Sequence, residues 1–175
     1  MAFSALSGTN VELWMFTLAG GAAARVGTPR STAPFNTVFS PDGKWIAYTE
    51  RANGVRTWVQ SVSASTRIQI GQDEETVHHP FWTGNRFIYF AGGNGTAVVR
   101  TITTTGDTVL FGRPQPFPGG GLPLNVQPSN LLNHDIGPDG RFVTVVSGTG
   151  VDNPLREIVF VQNWFEELKR LVPVK

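Results

Sequence analysis

One phrase occurs twice in this chain, and it limits the possible folds more than any bulk property does. The stretch FSPDGKWIAYTE runs from Phe39 to Glu50, and IGPDGRFVTVVS runs from Ile136 to Ser147. Both read apolar, small, Pro-Asp-Gly, basic, then a strand-like run. A looser third copy, FWTGNRFIYFAGG, spans Phe81 to Gly93, with Thr83-Gly84-Asn85 in place of the Pro-Asp-Gly turn. Phe39 and Trp82 lie 43 positions apart, and Trp82 and Ile136 lie 54 apart. The longer interval holds RPQPFPGGGLPLNVQPSN (Arg113 to Asn130), which has loop composition and little periodicity. Internal repetition at this spacing signals an architecture built from equivalent supersecondary units.

Two further families of strands follow the same period. VELWMFTL, VRTWVQSV, TAVVRTIT and REIVFVQN each come after a polar turn, and Trp14 and Trp58 are 44 positions apart. AAARVGT, STRIQIG and GDTVLFG form the third family. Each unit is therefore four short strands in about 40–45 residues, the pattern of a β-propeller blade. Pro41 presets the first corner of the turn, Asp42 tolerates the next and bonds nearby backbone, and Gly43 accepts a positive φ. Pro138, Asp139 and Gly140 repeat those roles. The expected fold is all-β: a partial β-propeller of about three four-stranded blades plus part of another, with a short C-terminal helix. The expected divisions of the single domain, 1–175, are an incomplete first blade over 1–30, a second blade over 35–72 and a third over 78–112. An inserted loop over 113–130, a last blade over 131–162 and a helix over 163–172 complete it. The helix is read from NWFEELKRLVPVK, where Asn163 is an N-cap, Glu166 its capping-box partner, and Phe165, Leu168 and Val172 an apolar stripe.

Composition agrees with a strand-rich globular chain. The 175 residues include 20 Gly and 12 Pro, with 40% hydrophobic residues, 15% charged and a net charge of +1. The basic residues are scattered singly, which argues against a nucleic-acid partner. The chain has no cysteine, so disulfides, thiol nucleophiles and cysteine metal sites are excluded. No apolar run reaches membrane-spanning length, and no membrane insertion is expected. The start, MAFSALSGTNVELWMF, alternates like a strand and lacks a signal peptide's basic start and long apolar core.

The candidate chemistry is sparse. Asp42 and Asp139 read as turn residues, because an acid–base pair needs unequal settings and these two look equivalent. His78-His79, with Asp73, Glu74 and Glu75 upstream, and Asn133-His134-Asp135 one unit later lead into the first strand of their blades. No spacing among them matches a metal motif such as His-Glu-x-x-His. They read as ligand- or partner-binding residues near a channel mouth, without a metal. No Gly-x-Ser-x-Gly elbow, His-Arg-Asp or Asp-Phe-Gly occurs. The expectation is a chain without catalytic residues or cofactor, binding a protein or small-molecule ligand.

SPDGKWIAYTE, followed by WVQSV, resembles the TolB-type (WD-like) propeller repeat. The ending IVFVQNWFEELKRLVP resembles the end of large bacterial propeller proteins, including the sensor-like regions of some membrane-attached Ser/Thr protein kinases and related regulators. That resemblance implies a ligand-sensing or protein-interaction module on the extracytoplasmic, periplasmic side, possessing no catalysis of its own. A prolyl-oligopeptidase-like hydrolase would need a peptidase domain after the propeller, and only 14 residues follow Val161. Met1-Ala2-Phe3-Ser4 aligns with Ile46-Ala47-Tyr48-Thr49, so the chain is expected to start inside a blade and to be the C-terminal part of a larger protein whose N-terminal blades are missing here.

Overall fold

The structure, a computed structural model, describes residues 1–63, 66–71, 76–92, 96–117, 134–136 and 141–144. Asn133, the second Pro-Asp-Gly turn (138–140) and the expected helix over 163–172 lie outside the described residues.

The described residues are all-β. β1 (Ala2–Ser7), β2 (Asn10–Phe16) and β3 (Ala23–Ser31) make a first antiparallel sheet. β4 (Asn36–Phe39), β5 (Trp45–Ala52), β6 (Gly54–Ser61) and β7 (Arg67–Gln69) make a second, in the order β4-β5-β6-β7. β8 (Val77–Thr83), β9 (Arg86–Ala91), β10 (Thr96–Thr105) and β11 (Thr108–Phe111) make a third meander. The two-residue β12 (Gln115–Pro116) also pairs with β10. β13 (His134–Ile136) and β14 (Phe142–Thr144) form a fourth antiparallel pair. The segment expected as an inserted loop over 113–130 thus begins with paired backbone: Val98 faces Pro116 and Val99 faces Gln115. A strand of two residues, one of them a proline, is too short to show periodicity in sequence.

The repeated phrase makes a hairpin. The Ser40 amide donates to Trp45 O and the Gly43 amide to Ser40 O, both at 2.9 Å. The Ser40 hydroxyl donates to Asp42 Oδ1 (2.6 Å) and accepts from the Trp45 amide (2.9 Å), and the Lys44 amide also reaches Asp42 Oδ1 (3.1 Å). The Ser40 hydroxyl, then the Lys44 amide, hold the Asp42 carboxyl below its ordinary value. Gly43 takes φ +71°, a region costly for any residue with a Cβ. The third copy solves the same problem in two residues. Thr83 pairs with Arg86, and Gly84 between them takes φ +55°.

The sheets stack face to face, and the second strand of a meander supplies both neighbours. Trp45 and Ala47 of β5 join Val59, Ile70, Val77, Phe87, Tyr89, Ile102 and Val109 between the second and third sheets. Ile46 and Tyr48, the alternate residues of the same strand, join Val11, Leu13, Val26 and Phe35 between the first and second. β9 divides likewise: Phe87 and Tyr89 face the second sheet, while Ile88 and Phe90 join Phe81, with Ile136 of β13 packed against them. Strand alternation thus makes each central sheet apolar on both faces. Full burial of one such side chain contributes roughly 1.5–3 kcal/mol.

A paired substitution checks this stacking. Leu13 is fully buried in the first seam, whereas Leu18 is 79% exposed. Leu13→Ala should lower unfolding free energy by about 2–5 kcal/mol, and Leu18→Ala should stay within about 0.5 kcal/mol of the parent. Urea denaturation midpoints at constant m-value measure both.

Candidate functional site

The histidine pair at the start of β8 is an interior feature. β8 carries a register irregularity between His78 and Phe81 opposite β9, and His79 takes φ +50°, uncommon for a residue with a Cβ. Both rings are fully buried. Their Nδ1 atoms stand 2.5 Å apart, and the His78 ring stacks on Phe90 at 6.0 Å and 18°. His78 Nε2 lies 3.4 Å from the Gly92 carbonyl. A carbonyl only accepts, so His78 carries its proton on Nε2 and its bare Nδ1 accepts from His79 Nδ1–H. The two residues were expected as ligand contacts at a channel mouth. Both rings are buried, packed against each other and against Phe90 of β9.

A directed chain of hydroxyls crosses the seam between the second and third sheets. The His79 amide donates to Thr49 Oγ1 of β5 (3.2 Å). Thr49 Oγ1 and Thr57 Oγ1 are 3.1 Å apart, and Thr57 Oγ1 of β6 donates to Val77 O of β8 at 2.8 Å. Thr57's only proton is committed to Val77 O, so Thr49 is the donor between the two threonines. The chain leaves β8 at the His79 amide and returns to it at the Val77 carbonyl. It satisfies two backbone groups that the irregular strand turns away from β9.

The first seam holds a second polar cluster. Arg67 pairs with Glu50 at very short range, and its guanidinium carbon lies 3.7 Å over the Trp58 ring and 5.6 Å from the Tyr48 centroid. The Arg30 amide donates to the other Glu50 oxygen at 3.0 Å. The Tyr48 hydroxyl donates to Gln60 Oε1 at 2.9 Å, and burial, ahead of the neighbouring charges, pushes its pKa far above the ordinary phenol value. Arg51 reaches the Pro34 carbonyl at 2.8 Å, and burial lowers its pKa. Thr32 closes on Arg51 O through both its amide (2.7 Å) and its hydroxyl (2.9 Å). The β3–β4 connection is thereby fastened to the end of β5.

Of the other candidates, Asp135 is exposed on β13, and its carboxylate accepts from the Ile136 amide at 2.8 Å. His134 sits beside it on β13, opposite Thr144. His78 and His79 come together in one contact, while Asp135 lies on another sheet, beyond the Phe81–Ile88–Phe90 seam. Among the described residues, no group of three or more His, Asp or Glu side chains could hold a metal. Glu50, Tyr48, Trp58 and Arg67 escaped the sequence reading. A usable signal was present: Trp58 lies one period after Trp14, with an arginine on the next strand of the meander.

No family model and no curated protein matches this chain. Among solved structures, TolB from Acinetobacter baumannii matches with a TM-score of 0.57 and 17% identity over 86% of this chain. The chain has a TolB-like β-propeller fold. It spans 35% of the length of that TolB chain. The stacked meanders described above are blades, and the seams that hold the Thr49–Thr57 chain and the Glu50–Arg67 cluster are blade–blade contacts.

The hydroxyl chain gives a sharp expectation. Thr57→Val keeps the shape of the side chain and strands Val77 O without a donor. It should lower stability by about 1–3 kcal/mol, whereas Thr57→Ser should recover most of that loss. Thermal or urea unfolding of the two variants beside the parent makes the comparison.

Proposed function

We propose that this chain is a non-catalytic β-propeller module that docks a protein partner on the end of the blades carrying the β1–β2 and β5–β6 turns. The observation that carries the reading is a shallow groove at the β5–β6 tip, lined by Glu50, Ala52, Asn53, Gly54 and Arg56. The antiparallel course of the strands places Leu6, 84% exposed near the end of β1, at this same end. Propellers offer turns on a rigid scaffold, and an exposed apolar residue among polar turn groups suits a protein surface. The reactive side chains of the seams are already engaged inside the protein: His78 with His79, Glu50 with Arg67, and Tyr48 with Gln60. This favours binding over catalysis.

A narrower form of the reading makes the module the sensor region of a membrane-attached Ser/Thr kinase or related regulator, facing the extracytoplasmic side. Its support is the resemblance of the ending Ile158–Pro173 to such regions, together with the TolB-like fold. Ligand sensing and protein docking would then share one rim.

Photo-cross-linking separates the two ends of the blades. A cross-linking residue at Asn53 in cells of the source organism should yield a discrete protein adduct. One at Asp107, in the β10–β11 turn of the opposite end, should not. Adducts at Asp107 alone, or at neither position, would remove the proposed face.

A further inference from the structure

We propose that the edge of β1 facing away from β2 is a strand-addition site, where an extended segment of another polypeptide pairs antiparallel and completes the first blade. The second and third blades show what such a slot holds. Each has a strand before its two-sided strand, β4 beside β5 and β8 beside β9, antiparallel in both cases. The first sheet is β1-β2-β3, and no described residue pairs with the other side of β1. β1 is the counterpart of β5 by pairing as well as by sequence, because Phe3 stands opposite Trp14 as Tyr48 stands opposite Trp58. The place that β4 fills in the second blade is therefore open in the first.

Alternation identifies the backbone groups of that edge. Met1 and Phe16 exchange both of their backbone bonds, at 2.8 and 3.0 Å. In an antiparallel pair such exchanges fall at every second residue, so Phe3, Ala5 and Ser7 also direct their groups to β2. The amides and carbonyls of Ala2, Ser4 and Leu6 point the other way. Edge strands of natural proteins are commonly blunted by charge, proline or a bulge. β1 has none of these: its sequence is AFSALS, and its register with β2 runs unbroken from Ala2 to Ser7. The outer edge of the same sheet is blunted. β3 carries Arg25, Pro29 and Arg30, and its register with β2 shifts between Glu12 and Trp14. One edge of the sheet is guarded against pairing and the other is built to pair.

The side chains along the edge define the occupant. Ala2 packs into the first seam, and the Ser4 hydroxyl accepts from the Phe35 amide at 3.1 Å, a bond that uses the side chain of Ser4 and not its backbone. In the second blade Val38 stands opposite Ala47 and Asn36 opposite Thr49, the counterparts of Ala2 and Ser4. On the other face Phe3, 38% exposed, lies beside Trp14. The slot fits a strand with an aliphatic residue opposite Ala2, a small polar residue opposite Ser4 and an apolar residue between them on the Phe3 side. A second copy of this chain fits worse. Two β1 edges pair antiparallel about an axis normal to the sheet, which sets both second blades on one side of it. Ile46 and Tyr48 of β5 pack on that side of the first sheet, so β5 of one copy would fall on β4 of the other. The site uses the side of β1 and not the β5–β6 tip, so it stands or fails independently of docking at that groove.

The test is amide hydrogen exchange of the full chain by NMR, alone and with the synthetic peptide PFNTVFS, which copies Pro34–Ser40 and contains the β4 sequence. Alone, the Phe3 and Ala5 amides should be protected and the Ser4 and Leu6 amides should exchange freely. Peptide in large excess should slow Ser4 exchange about tenfold, the effect of about nine-tenths occupancy, and leave Phe3 unchanged. Ala2→Pro removes an edge donor without touching the β2 ladder, and it should abolish the slowing at Ser4. The parent measurements decide the matter if Ala2→Pro fails to fold. Ser4 and Leu6 already protected without peptide, no slowing with peptide, or equal slowing in Ala2→Pro would each overturn the site. Ser4 protection that grows with protein concentration, together with a dimer mass in sedimentation, would overturn it in favour of a second copy.

Discussion

The fold depends on one constraint, the burial of a strand on both faces at once. β5 places Trp45 and Ala47 in one seam and Ile46 and Tyr48 in the next. β9 does the same with Phe87 and Tyr89 against Ile88 and Phe90. A strand in such a position cannot alternate apolar with polar, because neither face meets water. It reads as a short continuous apolar run, and its ends have to be marked by turns. A one-residue slip in β5 would exchange Trp45 for Ile46 and misfit both seams together. The hairpin around Asp42 therefore sets the register of two interfaces as well as one connection.

Apolar contact is non-directional, so it leaves the relative height of neighbouring blades loosely set. The polar groups in the seams supply the missing direction. Each hydrogen bond of the Thr49–Thr57 chain works at one offset of β8 against β5 and β6. Glu50 fixes β3 over the second blade by accepting from the Arg30 amide while it holds Arg67. Net stabilisation from such bonds is small, on the order of 1 kcal/mol each, but an unmatched buried group costs more than a matched one gains. The polar seams penalise wrong alignments more strongly than they reward the right one.

Much of this was legible in the sequence where structure is local. The Pro-Asp-Gly phrase marks the β4–β5 turn, the runs WIAY and FIYF mark the two-sided strands, and the 43-residue spacing marks the stacking. The burial of the histidines was not legible, for a physical reason. Their dipeptide follows an acidic, polar stretch and precedes a proline, which is the sequence of an entry loop. The structure continues β8 through them by means of a register shift and a residue at positive φ, and neither has a composition signal. Arg67 was missed on similar grounds: its strand is three residues long, too short to show which face it presents. Asn133, the 138–140 turn and the 163–172 helix lie outside the described residues.

The low identity to TolB beside a shared fold follows from the same constraint. What the architecture requires is a pattern, namely turns at fixed spacing and strands apolar on both faces, and many residue choices satisfy a pattern. Tyr48 and Phe90 serve equivalent positions in two blades of this one chain, as do Ala47 and Tyr89. If blades within one chain diverge this far, blades of different proteins can share only geometry. The seams still carry individual chemistry, because a polar group buried between two sheets needs a specific partner on the other side. Among the described residues, the Thr49–Thr57 chain belongs to the second seam and the Glu50–Arg67 pair to the first. Replacing either cluster with apolar groups would keep the pattern and lose the alignment it enforces.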